Sequence, residues 1–473
     1  MTVSMARRLA AWGADARRAT LCATAVVCVW ASAPAQAGQG DVHTRTLANG
    51  LKVIVMEDHR APTAASMVWY RAGSMDESSG TTGVAHVLEH MMFKGTPKNP
   101  GDTFNRTIAA AGGRDNAFTN RDYTAYFQQI AVSKLPTAVA LEADRMAHLT
   151  LSADDFAKEI RVVMEERRLR TDDQPRALLY EQAMAAVYTA VGYRWPTIGW
   201  MADLEHMTVD DARDWYRAWY VPNNAAWVVV GDITPEAAFA LAEQHFGPIP
   251  ARDLPPRKPQ IEPPQKGTKR IVVKAPAELP YLMMAWHVPT LRDVENDWEP
   301  YALTMLAGIL DGNDAARLDT QLVRGTRLAI NAGAGYDDTH RGPALFFLEG
   351  TPAPGRTPAE LESALRRELA RVIDEPIAPA ELERVKAQVI AGQVFQRDSM
   401  YFQAMQIGRL HTVGLPFDSA ATQARKLREV TAEQVQAVAK KWFVDDALTV
   451  AVLDPQPAAG ATRTAADVSG DVR

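Results

Sequence analysis

Cysteine is nearly missing from this chain. The 473 residues hold only Cys22 and Cys28, both within the first 37 positions. That excludes a disulfide scaffold and, beyond residue 37, a cysteine nucleophile. Excess positive charge is missing too, since 51 Lys and Arg stand against 57 Asp and Glu, a net charge of −6. A mildly acidic chain offers no electrostatic footprint for nucleic acid, so no nucleic-acid partner is expected. No internal apolar run approaches the roughly 18 residues that a membrane span needs. What remains is 47% hydrophobic and 23% charged residues, an ordinary globular balance in a chain long enough for two or three domains.

The one notable apolar stretch lies near the start. Residues 1–37 carry Arg7, Arg8, Arg17 and Arg18 against the single acid Asp15, then an apolar run from Leu21 to Trp30, then Ala35-Gln36-Ala37. A basic region, a short apolar core and a small-x-small site mark a secretory signal, cleaved after Ala37; the run is too short for an anchor. The expected mature chain, from Gly38, has 47 basic and 56 acidic residues, a net charge of −9, and no cysteine. Its expected location is the periplasm of a Gram-negative source, with no membrane span once the signal is gone.

Two halves follow one plan. Prolines cluster without apolar periodicity over residues 248–269, which reads as a linker between an N-terminal domain (38–247) and a C-terminal domain (270–454). Residues 455–473, rich in Ala, Gly, Thr and Asp, read as a disordered tail. TVDDARDWYRAWYVPNNAAWVVVGD, from Thr208, and TAEQVQAVAKKWFVDDALTVAVLD, from Thr431, share a Thr N-cap candidate, an acidic first turn, a helix ending in Trp-aromatic, a turn and an apolar strand. Thr208 to Thr431 spans 223 positions, and so does Tyr220 to Phe443, so the repeat is at domain scale. Strands are expected at LKVIVMEDH, AASMVWYRAG, RIVVKAP and YLMMAWHVP. Helices are expected at Thr82–Lys94, Ala153–Arg170, Trp298–Leu310 and Ala378–Phe395. Strands and helices mix without strict alternation. The expected class is therefore α+β, with two homologous domains, each a mostly antiparallel sheet with helices on one face.

The chemistry concentrates in GTTGVAHVLEHMMFKGT, where His86, Glu89 and His90 form H-x-x-E-H. On a helix, positions i and i+4 share a face, so both imidazoles can converge on one ion, with Glu89 on the same side. Zinc favours nitrogen ligands, and a catalytic site keeps three protein ligands and one water. His86 and His90 would be ligands and Glu89 the general base. The motif is the inverted form of the H-E-x-x-H zinc signature. It is embedded in Val84, Val87, Leu88, Met91, Met92 and Phe93, and buried His and Glu need partners. A third ligand must come from elsewhere. The helix AKEIRVVMEERRLR offers Glu159, Glu165 and Glu166. Glu159 and Glu166 are seven apart and share a face, while Glu165 points about 100° from Glu166. Periodicity also fits a charged surface helix with pairs such as Glu166 and Arg170.

With these residues in view, the chain from about Thr46 to Asp454 resembles the pitrilysin/insulinase-type zinc metallopeptidases, which include the mitochondrial processing peptidases. In that family a glutamate about 76 residues after H-x-x-E-H is the third ligand; His90 to Glu166 is 76 positions. The resemblance therefore implies one Zn2+ per chain on His86, His90 and Glu166, with Glu159 matching an acid that supports the site. DNAFTNRDYTAYF resembles the family's Asn-Ala-x-Thr segment, where an edge strand pairs with the substrate backbone, which implies peptide-binding roles for Asn116, Ala117 and Phe118. An unpaired strand edge offers N–H and C=O groups to an extended peptide. The second half has Leu303-Thr-Met-Leu-Ala-Gly where the histidine helix would be, so it reads as a metal-free copy.

One departure stands out. The family places an Arg and a Tyr in the second half, against the substrate and the developing oxyanion. In LVRGTRLAINAGAGY, Arg324 matches the Arg, but Ile330 stands where Tyr belongs, and Tyr336 comes six residues later. Half-length members pair up, so the resemblance implies a homodimer, or a heterodimer with a homologous subunit that carries the Arg/Tyr pair. The expected function is an exported zinc endopeptidase that hydrolyses peptides or unfolded segments. The alternative is a non-catalytic structural subunit of the same fold, against which the intact H-x-x-E-H argues.

Overall fold

The apolar runs pair into two sheets within residues 41–457, the part of the chain described by the computed structural model. The first sheet contains β1 (Val42–Thr46), β2 (Lys52–Glu57), β3 (Thr63–Tyr70), β4 (Arg114–Thr119), β5 (Thr124–Ala131) and β6 (Ala225–Gly231), in the order β1-β2-β6-β3-β5-β4. The second contains β7 (Lys269–Pro276), β8 (Tyr281–Val288), β9 (Ala329–Tyr336), β10 (Ala344–Pro352) and β11 (Leu448–Gln456), in the order β7-β11-β8-β10-β9. Among the described strands only β2–β6 and β7–β11 are parallel. Without β1, the two orders correspond strand for strand, and the fold is α+β with mostly antiparallel sheets.

The repeat is visible in detail. Thr208 and Thr431 each cap a helix, Val209–Trp219 and Ala432–Trp442, through a reciprocal box with Asp211 or Gln434. Each helix leads through a single turn into β6 or β11; β6 then pairs parallel to β2 and antiparallel to β3, as β11 does to β7 and β8. The last strand runs through Gln456, two residues past the expected boundary at Asp454, because Pro455 and Gln456 still pair with Ala275 and Pro276. The expected signal and the rest of the expected tail lie outside the described residues. Among the described residues no helix is long and apolar enough to cross a membrane.

The helices of each half cover one face of their own sheet, as expected, and a helix of the other half covers the opposite face. Val53, Val55, Tyr70, Trp227 and Val229 face the helices of their own half. The alternate residues Ile54, Met67, Trp69 and Val228 face Ala404 and Ile407 of the helix Met400–Val413, which belongs to the second half. In return, Met283 and Ala285 of β8 pack on Leu179 and Ala183 of Pro175–Val187, a helix of the first half. Burial on both faces is why these strands read as continuous apolar runs. The exchanged helix approaches so closely that a Cβ on Gly408 would fall 2.0 Å from the Trp69 ring. On an exposed helix Gly→Ala is stabilising by about 0.4–1 kcal/mol. Here Gly408→Ala is expected to destabilise by about 1–3 kcal/mol through overpacking, read as a lower urea midpoint.

The proline-rich segment takes no helix or strand over residues 251–266, but it is tied down. The Glu262 carboxylate accepts from the N–H groups of Thr189, Ala190 and Val191 at 2.5–3.0 Å. Gln260 accepts from Gly192 N–H at 2.7 Å and donates to the Met75 carbonyl at 3.0 Å. It thereby pins the loop that follows Pro175–Val187.

Candidate metal centre

H-x-x-E-H lies on a short helix, Val84–Met91. Gly83 opens it in the left-handed region, φ +89°, where a side chain would also strike the Ile198 carbonyl at 2.6 Å. Gly199 faces it, and a Cβ there would fall 2.4 Å from the Thr82 carbonyl. Two glycines thus let the segment Pro196–Gly199 lie directly on the helix start. The buried Glu77 carboxylate accepts from the N–H groups of Gly83 and Ala85 at 2.8 and 3.0 Å, satisfying first-turn donors that the helix itself leaves unpaired. Burial pushes that carboxyl up to about 8, and the two N–H groups pull the other way. Val84, Ala85, Val87, Leu88 and Met91 are buried, which leaves His86, Glu89 and His90 together on the remaining face.

The helix Ala153–Arg167 packs beside it and runs on into a wider turn, Arg168–Asp172. Its Glu166 Oε2 lies 3.7 Å from His86 Nε2 and 3.3 Å from His90 Nε2. One ligand atom from each of the three residues lies within 4.8 Å of the others. Glu165 faces solvent, 64% exposed, and pairs with Arg168. Glu159 stands behind His90, with Oε2 3.4 Å from its Nδ1, and also pairs with Lys94. It holds the far nitrogen and leaves Nε2 toward Glu166, the arrangement by which outer carboxylates orient metal-binding imidazoles. Glu166 pairs through its other oxygen with Arg170.

The electrostatics match a donor set waiting for a cation. Burial, then the charge of His90, push His86 down to about 4, so its imidazole is neutral with a lone pair to give. Its Nδ1 is buried with no partner among the described residues. Burial works against a charged His90, but the hydrogen bond and charge of Glu166, with Glu89 and Glu159, outweigh it and raise His90. The His90 hydrogen bond holds Glu166 below the usual carboxylate range. Burial raises Glu89, whose Oε2 accepts from the Thr119 hydroxyl. Two imidazole nitrogens and a carboxylate, with His86 and Glu166 opening on a cavity of about 470 Å³, fit zinc with room for a further ligand.

The other expected residues are placed as follows. Asn116, Ala117 and Phe118 lie on β4, which among the described residues pairs only with β5 and is the edge of its sheet. Thr119, at its end, reaches Glu89. The Phe118 ring packs on Trp69 and Tyr123, so what that residue can offer a peptide is its backbone. Arg324 does not line the metal cavity; it pairs with Asp319 at 2.7 Å. The Tyr336 hydroxyl donates to the Pro289 carbonyl at 2.5 Å, which removes it as a stand-in for the missing Tyr. Ile330 is 47% exposed on β9, the edge of the second sheet. Sequence reasoning missed Glu77, Thr119, Arg121 and Tyr180. Thr119 and Arg121 both lie in the quoted DNAFTNRDYTAYF segment and had that signal; Glu77 and Tyr180 had none.

Residues 52–199 match the family described as Insulinase (Peptidase family M16), and residues 206–389 match the Peptidase M16 inactive domain. The chain is 29% identical over 418 residues to the zinc protease PqqE of Helicobacter pylori, covering 87% of this chain and 92% of the relative. It is 30% identical over 418 residues to an uncharacterized zinc protease of Mycobacterium leprae, covering 87% and 91%. The crystal structure of a protease from Helicobacter pylori superimposes with a TM-score of 0.84 at 27% identity, covering 88% of this chain and all of that one.

Proposed function

Because this chain belongs to the insulinase family of peptidases, family M16, we propose that it is an exported zinc endopeptidase acting on peptides or unfolded segments. One observation carries the reading: His86, His90 and Glu166 converge, with Glu89 beside them and an open strand edge ending at Thr119. Zinc held by those three residues would supply Lewis acidity, polarising a carbonyl and acidifying water. Glu89 takes the proton from the attacking water and passes it to the leaving amine, as the C–O bond forms and the C–N bond breaks. Thr119 orients the Glu89 carboxylate, Glu159 orients His90, and β4 holds the peptide extended through its backbone. The second half carries no such cluster among the described residues.

The purified chain is expected to carry one zinc and to hydrolyse an unstructured peptide. A chelator should abolish hydrolysis, added zinc should restore it, and His86→Ala should lose the metal. Hydrolysis that survives chelation would overturn the reading. Bound zinc without hydrolysis, alone or with a homologous subunit, would favour the structural-subunit alternative. N-terminal sequencing of the exported protein should begin near Gly38.

Full activity is proposed to need a second chain, as a homodimer or with a subunit carrying the Arg/Tyr pair. Ile330 is exposed on an edge strand, as a residue facing a shared chamber would be. Ile330→Tyr is expected to raise the rate of the lone chain about tenfold, or ~1.4 kcal/mol of transition-state stabilisation, measured as kcat/KM. No change would place the missing donor elsewhere.

A further inference from the structure

We propose that Arg121 is a carboxylate-binding subsite that grips one anionic group of the peptide near the scissile bond. This rests on the peptidase reading. Arg121 lies in the turn between β4 and β5, is half-buried, and lines the same cavity as His86 and Glu166. Its guanidinium donates to the Tyr180 hydroxyl at 3.2 Å and lies 5.6 Å from the centre of the Tyr193 ring. Among the described residues no carboxylate oxygen lies within 4.0 Å of it.

Arg170 is the other arginine lining the cavity, and it is matched. Arg170 pairs with Glu166, Arg167 with Glu181, and Arg341 with Asp76. The two acids lining the cavity, Glu166 and Glu181, are therefore both neutralised, and the unmatched charge is that of Arg121. Among the described residues that line the cavity, Arg121 is thus the one arginine without a carboxylate partner, in a chain of net charge −6. Taking a cation partly out of water is unfavourable unless a counter-charge comes to it. A guanidinium has five N–H donors, of which one is engaged here, and its fork suits a carboxylate.

The residue is also held in place before any ligand arrives. The Arg121 carbonyl accepts from Met75 N–H at 3.0 Å, and the Asn120 carbonyl from Ser74 N–H at 3.1 Å. The Asn120 side chain accepts from the N–H groups of Asp122 and Tyr123 at 2.7 and 3.1 Å. The buried Asp122 accepts from the Tyr193 hydroxyl and from Arg341 N–H of the second half. Gly73 makes this close fit possible, because a Cβ there would fall 2.4 Å from the Asn120 carbonyl. A backbone locked on both sides lowers the ordering cost of binding. The matching chemistry is a carboxylate, from an Asp or Glu flanking the scissile bond or from the free C-terminus of the peptide.

The test uses one unstructured peptide in variants with Glu or Gln at each of two positions on either side of the scissile bond, each with a free or amidated C-terminus. Cleavage is followed on the zinc-loaded protein, and binding by fluorescence anisotropy on zinc-loaded Glu89→Gln. One carboxylate peptide should be favoured over its amide counterpart by at least about tenfold in kcat/KM and in Kd. Arg121→Gln should bring the carboxylate peptide down to the level of the amide peptide, and Arg121→Lys should keep part of the preference. The favoured position tells a side chain from a C-terminus. No carboxylate preference in the wild type, or an equal loss for every peptide in Arg121→Gln, would overturn the proposal. The wild-type comparison decides even where a variant folds poorly. If no peptide is cleaved by the wild type, the peptidase reading fails, while the binding measurements still judge Arg121.

Discussion

Glu89→Gln is expected to keep its zinc and lose about 10²–10⁴-fold in kcat. The amide has the size of the carboxylate and still accepts a hydrogen bond from the Thr119 hydroxyl, so the local packing survives. The three candidate ligands, His86, His90 and Glu166, are untouched. What is lost is the ability to accept a proton from water, since a neutral amide is not a base at working pH. Zinc content and single-turnover hydrolysis, measured on the same preparation, separate the two roles. Near-normal turnover would show that another group takes the proton. Loss of metal together with activity would place Glu89 among the ligands instead.

Glu142→Leu is expected to destabilise the first domain by about 3–5 kcal/mol, because it strands a buried charge. Glu142 and Arg145, on the helix Leu135–His148, have side chains 1% and 2% exposed. Arg145 donates to both carboxylate oxygens, at 2.5 and 2.8 Å, and Gln128 adds a further donor. The guanidinium is otherwise walled by the rings of Phe104 and Tyr126, at 4.2 and 4.5 Å, and of Phe93, just past the histidine helix. Removing both charges, as Glu142→Leu with Arg145→Met, should recover much of the loss, because well-packed apolar residues can replace such a pair. Urea unfolding of the two variants is the measurement. Equal stability of the single variant and the wild type would mean that water reaches Arg145.

The local periods explain what could be read early. An amphipathic helix and a strand buried on both faces each declare themselves within ten residues. The helices expected at Ala153–Arg170 and Trp298–Leu310 accordingly lie within three residues of those observed. The constant offset between Thr208 and Thr431 carried the duplication, because each Thr closes its own capping box with a residue three positions on. What covers the second face of each sheet was not legible. The exchange of Pro175–Val187 and Met400–Val413 between halves joins residues more than a hundred positions apart, and no local pattern records it.

The sequence by itself determined the α+β class, the duplication, and the pairing of His86 with His90, because each follows from spacing along one element or one repeat. Spacing left Glu159 and Glu166 on one face of their helix. Tertiary structure separated them: packing of that helix against Val84–Met91 brings Glu166 to both Nε2 atoms and leaves Glu159 behind His90 at Nδ1. It likewise decided that Arg121 meets no carboxylate among the described residues, since a side chain's partner depends on every chain segment that reaches it. Charge along a sequence shows how many acids and bases there are; only the fold says which of them meet.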